Sequence, residues 1–340
     1  MEYKINGGKV LIIGDLHFSD VYTGKHKDYL GNCFSILGRL TKTIEEQKPS
    51  AVILLGDLIG WTETNIRDRE CFAMFCKALK EWNTICPVYS VRGNHDMKGY
   101  PDFNFLSEFG IIINSEQCGG YVDYYNAEGT ELKARLHLVD YAAESRVLDY
   151  PKDDKVNNIV LGHNNYVIKG LTNWYQEHDG IELATLSNFN QVDMVISGHI
   201  HNPSPEFVST QIAGGKDCQL FYPGCPTRPV KDKFIYEMCW LVGIELNSST
   251  GLIDILTDEF KLDSVEDTFI SDDSFIEEKD EEALQEEVRK EALKEVLDDL
   301  LKYRMLGGDL IGQINNIPNA SNEAKEIATQ YLQTVFNMAN

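Results

Sequence analysis

The sequence predicts a layered α/β domain followed by a helical C-terminal extension. Three features carry that expectation. Short, β-branched apolar runs alternate with longer amphipathic stretches up to about residue 260. Several of the runs end in Gly followed by a carboxylate or imidazole residue. Beyond them, an acidic stretch precedes an apolar stripe at helical spacing.

Residues 10–13, 51–55, 88–91, 111–113, 136–139, 159–161 and 192–196 read as buried strands, because they are short, apolar and bounded by Gly or Asn. Residues 29–47 and 66–82 lie between the first three and are long enough for crossover helices, so the order β, α, β, α, β implies a layered core. The aromatic-rich segment 121–125 reads as an edge strand. More strand-like runs from Cys218 to Ile255 either finish the sheets or form a small cap. The expected organisation is an α/β domain over residues 1–257 with a cap-like segment at about 206–257, an acidic linker over 258–279 and a helical region over 280–340. In that last region Leu284, Val288, Ala292, Val296 and Leu300 recur at i/i+4, a stripe suited to a partner helix or groove.

With 43% hydrophobic and 25% charged residues the composition is that of a globular protein, which excludes collagenous and wholly disordered classes. No apolar run approaches the roughly 18–20 residues of a membrane span, and the first is too short for a signal-peptide core, so the expected location is the cytoplasm. Eight scattered cysteines without a CxxC pair read as reduced thiols. The formal charge is −23, and 16 acidic residues stand against four basic ones between Asp263 and Asp299. Such a surface repels nucleic acid unless cations and a local basic patch oppose it, and Arg92, Lys98, Arg228, Lys231 and Lys233 are the candidates for that patch.

The chemistry sits at the ends of the apolar runs. Gly14-Asp15-Leu16-His17 follows the first, Gly56-Asp57 the second, Arg92-Gly93-Asn94-His95-Asp96 the third, Gly162-His163 a later one, and Gly198-His199-Ile200-His201 the last. The carboxyl ends of strands in open α/β sheets open onto the crevice where ligands bind. Each motif alone could simply end a strand and cap the next segment, but together they form one recurrent device. His26, His137 and His178 show no such context and read as ordinary structural or surface residues, with strand alternation turning His137 outward.

The ordered set D-x-H, GD, GNHD, GH and GHxH resembles the calcineurin-like metallophosphoesterase superfamily over about residues 9–205. That resemblance implies two packed mixed β-sheets flanked by helices, with two divalent metal ions between the strand ends. Asp15, His17 and His201 would hold one ion, Asn94, His163 and His199 the other, and Asp57 would bridge them. His95 would act on the scissile phosphate as a contact or proton donor, with Asp96 orienting it. Oxygen and nitrogen ligands without thiolate suit manganese, iron or zinc, and manganese is the expected ion. The GNHD motif, and Leu58-Ile59-Gly60-Trp61 after Asp57, set the chain apart from protein Ser/Thr phosphatases. Phe221-Tyr222-Pro223-Gly224-Cys225-Pro226 resembles the turn after the last ligand motif in SbcD-like nucleases of DNA repair. That likeness implies a DNA exonuclease or endonuclease, an SbcC-like coiled-coil ATPase partner and, as a further option, a homodimer. A phosphodiesterase for a small substrate such as a cyclic nucleotide, and a non-catalytic scaffold, are the alternatives.

Overall fold

The computed structural model describes residues 3–19, 26–60, 69–97, 101–143, 145–153, 155–170, 180–229 and 237–262. All of them belong to a unit of Met1–Phe269; a second unit, Ile270–Asn340, lies outside them with the expected C-terminal helices, and residues 263–279 of the expected linker are also outside the described residues. Among the described residues no helix is long and apolar enough to cross a membrane.

In chain order the strands are β1 (Lys4–Asn6), β2 (Val10–Ile13), β3 (Ala51–Leu54), β4 (Val88–Ser90), β5 (Ile113–Asn114), β6 (Tyr121–Tyr125), β7 (Leu132–Val139) and β8 (Asn157–Gly162). They continue with β9 (Tyr166–Val167), β10 (Ile181–Glu182), β11 (Met194–Ser197), β12 (Val208–Gln211), β13 (Asp217–Phe221), β14 (Met238–Leu246) and β15 (Ile253–Lys261). The helices are α1 (Tyr29–Gln47), α2 (Arg69–Ile85) and α3 (Pro101–Glu108).

Two mixed sheets result. One runs β15-β14-β2-β3-β4-β5, with β2 to β5 parallel and the β14-β15 hairpin antiparallel. The other runs β1-β6-β7-β8-β11-β13-β12, with β7, β8, β11 and β13 parallel. Alternation along β2 shows how they pack. Val10 and Ile12 enter the core between the sheets with Leu136, Leu138, Ile159, Leu161 and Ile196, while Leu11 and Ile13 face the helices. Helix α1 presents Cys33, Ile36, Leu37, Leu40 and Ile44 to that outer face; Asp28 caps its start by accepting the Gly31 amide at 2.8 Å. Leu79, Trp82 and Phe103 of α2 and α3 join the same layer. The long helices among the described residues thus cover one sheet only, and the outer face of the other is closed by Tyr166, Leu183, Phe189 and Tyr222.

Three expectations about the strands need correction. The segment 206–257 is no cap: β12 and β13 extend one sheet and β14 and β15 the other, because their apolar residues enter both cores. Strand β15 also runs through Lys261, so the first residues assigned to the acidic linker are sheet. Strand β6 is not an edge, since β1 pairs beside it in parallel.

His137 turns away from the core that holds Leu136 and Leu138, as alternation indicated, but the face it turns to is covered. It is fully buried under Tyr150, with Nε2 donating to Asn158 Oδ1 at 3.2 Å, and Nδ1 has no partner among the described residues. Burial pushes its pKa down from 6.5 to about 4, against the pull of Asn158. Above pH 6.5 both folded and unfolded chains carry a neutral ring there; below it only the unfolded chain takes up the proton until about pH 4. Urea unfolding should therefore lose stability between pH 6.5 and 4 by up to roughly 3 kcal/mol from this group. His137→Gln should flatten that part of the profile; an unchanged slope would place the titration elsewhere.

Candidate metal centre

The five motifs converge. Asp15 and His17 follow β2, Asp57 follows β3, Asn94 to Asp96 follow β4, His163 follows β8, and His199 and His201 follow β11, so parallel strands from both sheets deliver their ends to one place. Three groups of side chains lie close enough to share a cation: Asp15 with His17 and His201, Asp15 with Asp57 and His163, and His17 with Asp57 and His95, each with one donor atom per residue within 4.8 Å of the others.

On the first side, His17 Nε2 lies 2.9 Å from His201 Nε2, and Asp15 Oδ2 is 3.5 Å from His201 Nε2 and 3.9 Å from His17 Nε2. On the second, Asn94 Oδ1 lies 3.1 Å from His163 Nε2 and 2.9 Å from His199 Nδ1. Asp57 reaches both sides, its Oδ2 standing 3.7 Å from His17 Nε2 and 3.2 Å from His163 Nε2. His95 Nε2 is 3.9 Å from the same oxygen and is 17% exposed, so it stands at the open side of the cluster.

The donor set fits cations. His163 Nδ1 faces the Leu55 carbonyl at 2.6 Å and His17 Nδ1 faces the Gly60 carbonyl at 2.8 Å, contacts that only an N–H satisfies. Each neutral ring therefore turns the Nε2 lone pair inward, where His163 meets two acceptor oxygens and His17 meets a second imidazole. A divalent ion accepts these lone pairs, and the carbonyl contacts set the tautomer it needs. Without a cation, protons would have to fill that role. Burial opposes charge on His163, yet Asp57 and Asp15 outweigh it and lift its pKa to about 10; burial raises Asp15 to about 7. Burial likewise opposes ionisation of Asp57, but His163, His17 and His95 hold it well below the usual carboxylate range. His17 and His199 are pushed down to about 4, mainly by burial. Metal binding and proton release are linked for such a set.

The local backbone is unusual where the ligand candidates stand. His17, Asp57 and His199 adopt φ of 44°, 46° and 77°, a region non-glycine residues rarely occupy and one that clusters at functional sites. The glycine before Asn94 answers to close approach: a Cβ on Gly93 would sit 2.0 Å from Asp57 Oδ1. Asp96 accepts the Gly93 amide at 2.9 Å and the Leu58 amide at 3.2 Å, tying the Asn94 loop to the Asp57 loop; burial raises its pKa to about 8.

Sequence reasoning missed Asp140, although it follows the apolar end of β7 much as the other carboxylates follow their strands. It lacks the preceding glycine. Its two oxygens accept the Arg92 amide at 2.8 Å and the Ser115 hydroxyl at 2.7 Å, joining the β7 and β4 ends across the two sheets. Tyr141, beside it, lies 5.6 Å from the His199 ring. Two members of the expected basic patch are described: Arg228 is 2% exposed, and Arg92 bonds Asn104 and covers Phe103. Lys98, Lys231, Lys233 and His178 lie outside the described residues. His26 is buried at the start of α1, as a structural residue would be.

The sequence profile of the family described as calcineurin-like phosphoesterase matches residues 8–203. The SbcD subunit of the nuclease SbcCD from Staphylococcus saprophyticus is 23% identical over 220 residues, covering 57% of this chain and 57% of that protein. The chain thus matches little more than half the length of that relative. Among solved structures, a Thermus thermophilus protein is 13% identical with a TM-score of 0.40, covering 74% of this chain and 99% of that one. A dimetal phosphatase from Danio rerio is 12% identical with a TM-score of 0.46, covering 75% and 96%. The profile spans more than half of the sequence and includes all seven candidate ligands, Asp15 to His201: the chain belongs to the calcineurin-like phosphoesterase family.

Proposed function

We propose that the chain is a two-metal phosphodiesterase acting on DNA in the manner of an SbcD-like nuclease. The observation that carries the metal-dependent part is the inward convergence of Nε2 lone pairs and carboxylate oxygens around Asp57. The DNA part rests on the similarity to the SbcCD nuclease and on the turn at Tyr222 to Pro226 after the last motif.

In this reading Asp15, His17 and His201 hold one divalent ion and Asn94, His163 and His199 the other, with Asp57 shared. Such a pair supplies a lowered water pKa and neutralises charge developing on the phosphoryl oxygens. The chain does the rest. Leu55 and Gly60 carbonyls fix the His163 and His17 tautomers, and the His95 amide donates to Asp57 Oδ1 at 2.8 Å, setting the bridging carboxylate. The His95 ring, on the open side, donates a proton to the leaving oxygen, and Asp96 holds its loop in place. Manganese is the ion proposed, and the helical stripe from Leu284 to Leu300 is proposed to dock an SbcC-like ATPase.

One observation favours a second reading, a small-diester phosphodiesterase with the same centre. Of the basic residues expected beside the site, Arg228 is buried and Arg92 is bonded to Asn104 and laid over Phe103, so these two do not serve as ready contacts for a DNA backbone. Assays with manganese on linear duplex DNA, cyclic nucleotides and bis-p-nitrophenyl phosphate separate the two. Degradation of duplex DNA supports the nuclease. Turnover of cyclic nucleotides with intact DNA overturns it.

Asp57→Asn and His199→Ala should each lower bound manganese and turnover together; wild-type activity in either variant would end the two-metal reading. His95→Ala should keep both ions and slow cleavage by roughly 10²- to 10⁴-fold, most for leaving groups that need a proton. Loss of metal from that variant, measured by elemental analysis, would make His95 a ligand.

A further inference from the structure

His17 is held in its left-handed conformation by both flanking peptides. The Leu16–His17 peptide has its carbonyl bonded by the Thr227 hydroxyl at 3.0 Å and its N–H by the Asp57 carbonyl at 2.8 Å. The His17–Phe18 peptide has its carbonyl bonded by the Tyr29 hydroxyl at 2.7 Å and its N–H by the Leu58 carbonyl at 2.9 Å. Both planes next to the His17 Cα are therefore fixed, and with them a φ of 44° that the residue would not choose alone.

The turn that supplies Thr227 also reaches the other histidine. The Cys225 amide donates to the His201 carbonyl at 3.0 Å, and Ser204 and Tyr222 exchange two bonds of 2.8 Å that pin the same loop. It presses on the first motif so closely that a Cβ on Gly14 would lie 2.0 Å from the Gly224 carbonyl oxygen. Thr227 and Tyr29 are each 2% exposed and 3.5 Å apart. Their buried hydroxyls bond the two carbonyls that flank the His17 Cα.

We infer that the turn over residues 222–227 is a clamp that sets the spacing of His17 and His201, with Thr227 and Tyr29 as positioning residues for the ion those imidazoles hold. At 2.9 Å one Nε2 can donate to the other, but an ion held by both rings would replace that proton and leave two facing lone pairs, so their spacing must then be kept by backbones held from outside. This inference rests on the two-metal reading. It gives a role to the Tyr-Pro-Gly-Cys-Pro-Thr sequence that the catalytic motifs leave unexplained.

The test is calorimetric titration of the metal-stripped full chain with manganese, together with thermal melting. Wild type should take up two ions. Thr227→Val and Tyr29→Phe should each weaken one of the two binding events by roughly 10-fold and leave the other as it was, the scale expected when a residue supporting a ligand is lost. Thr227→Ser should restore wild-type binding, and Thr227→Val should cause no further loss in a His17→Ala background, where the peptide it holds no longer carries a ligand. Unchanged affinities in both single variants would overturn the clamp. So would equal weakening of both events with a lowered melting temperature, which is what general loosening of the core produces. If Thr227→Val fails to fold, Tyr29→Phe decides the matter alone. Uptake of fewer than two ions by wild type would instead remove the two-metal reading, and the clamp with it.

Discussion

Buried acceptors that face one another organise this protein. Asp57 Oδ2 lies within 4 Å of imidazole nitrogens from His17, His163 and His95, and two of those rings have already spent their N–H on backbone carbonyls. Such a cluster is unfavourable unless positive charge enters it, so the surrounding structure must hold it in place. It does so with packed strands, loops stapled to each other by Asp96 and Asp140, and backbone conformations at His17, Asp57 and His199 that open chains avoid. The sandwich serves this need directly. Parallel strands in both sheets end at the same edge, so short loops deliver side chains from residues 15 to 201 without long excursions.

Much of this was legible in the sequence because burial writes a strong pattern. Strands β2, β3 and β11 are buried along their whole length and read as continuous apolar runs, and α1 shows its buried stripe with a capping Asp28 at its start. The glycines in the motifs were visible too, and the structure supplies their cause. Loops from different strands pass within contact of each other, and Gly93 has no room for a side chain. What the sequence hid was non-local. The destination of residues 206–257 depends on pairing partners far away in the chain, since β14 lies beside β2 and β13 beside β11. A strand joining an existing sheet and a strand in a separate cap carry the same local alternation. The exposure of His137 was misjudged for a related reason. Alternation tells which residues share a face, but not whether the second face is covered, and here Tyr150 covers it.

Residues supporting the site were harder to see than the candidate ligands. Asp140, Asn164, Tyr29 and Thr227 act through backbone groups of other segments, and no spacing rule links a threonine at 227 to a carbonyl at 16. Asn164 shows how much one such residue can tie together. Its amide oxygen accepts the Ala142 N–H at 2.8 Å, and its own N–H and carbonyl both engage the Ser197 hydroxyl, so one residue fixes the loop that carries Tyr141 against His199. Such residues are found by asking where each buried backbone group is satisfied, a question that only coordinates answer.

Charge ties the centre to its substrate. The chain carries −23, and more than half of that excess lies between Asp263 and Asp299, beyond the phosphoesterase sheets. A phosphodiester approaching such a protein meets repulsion at long range, which salt screens over roughly 8–10 Å. Close in, the balance reverses. In the proposed centre two carboxylates, Asp15 and Asp57, stand against two divalent cations, leaving a net positive charge in a pocket whose other ligands are neutral imidazoles and an amide. Attraction of that range favours a phosphate already at the opening beside His95 and does little to gather a long backbone from solution. Under the proposed nuclease reading, DNA affinity would therefore have to come from surfaces other than this centre, and a partner that brings the DNA would supply them.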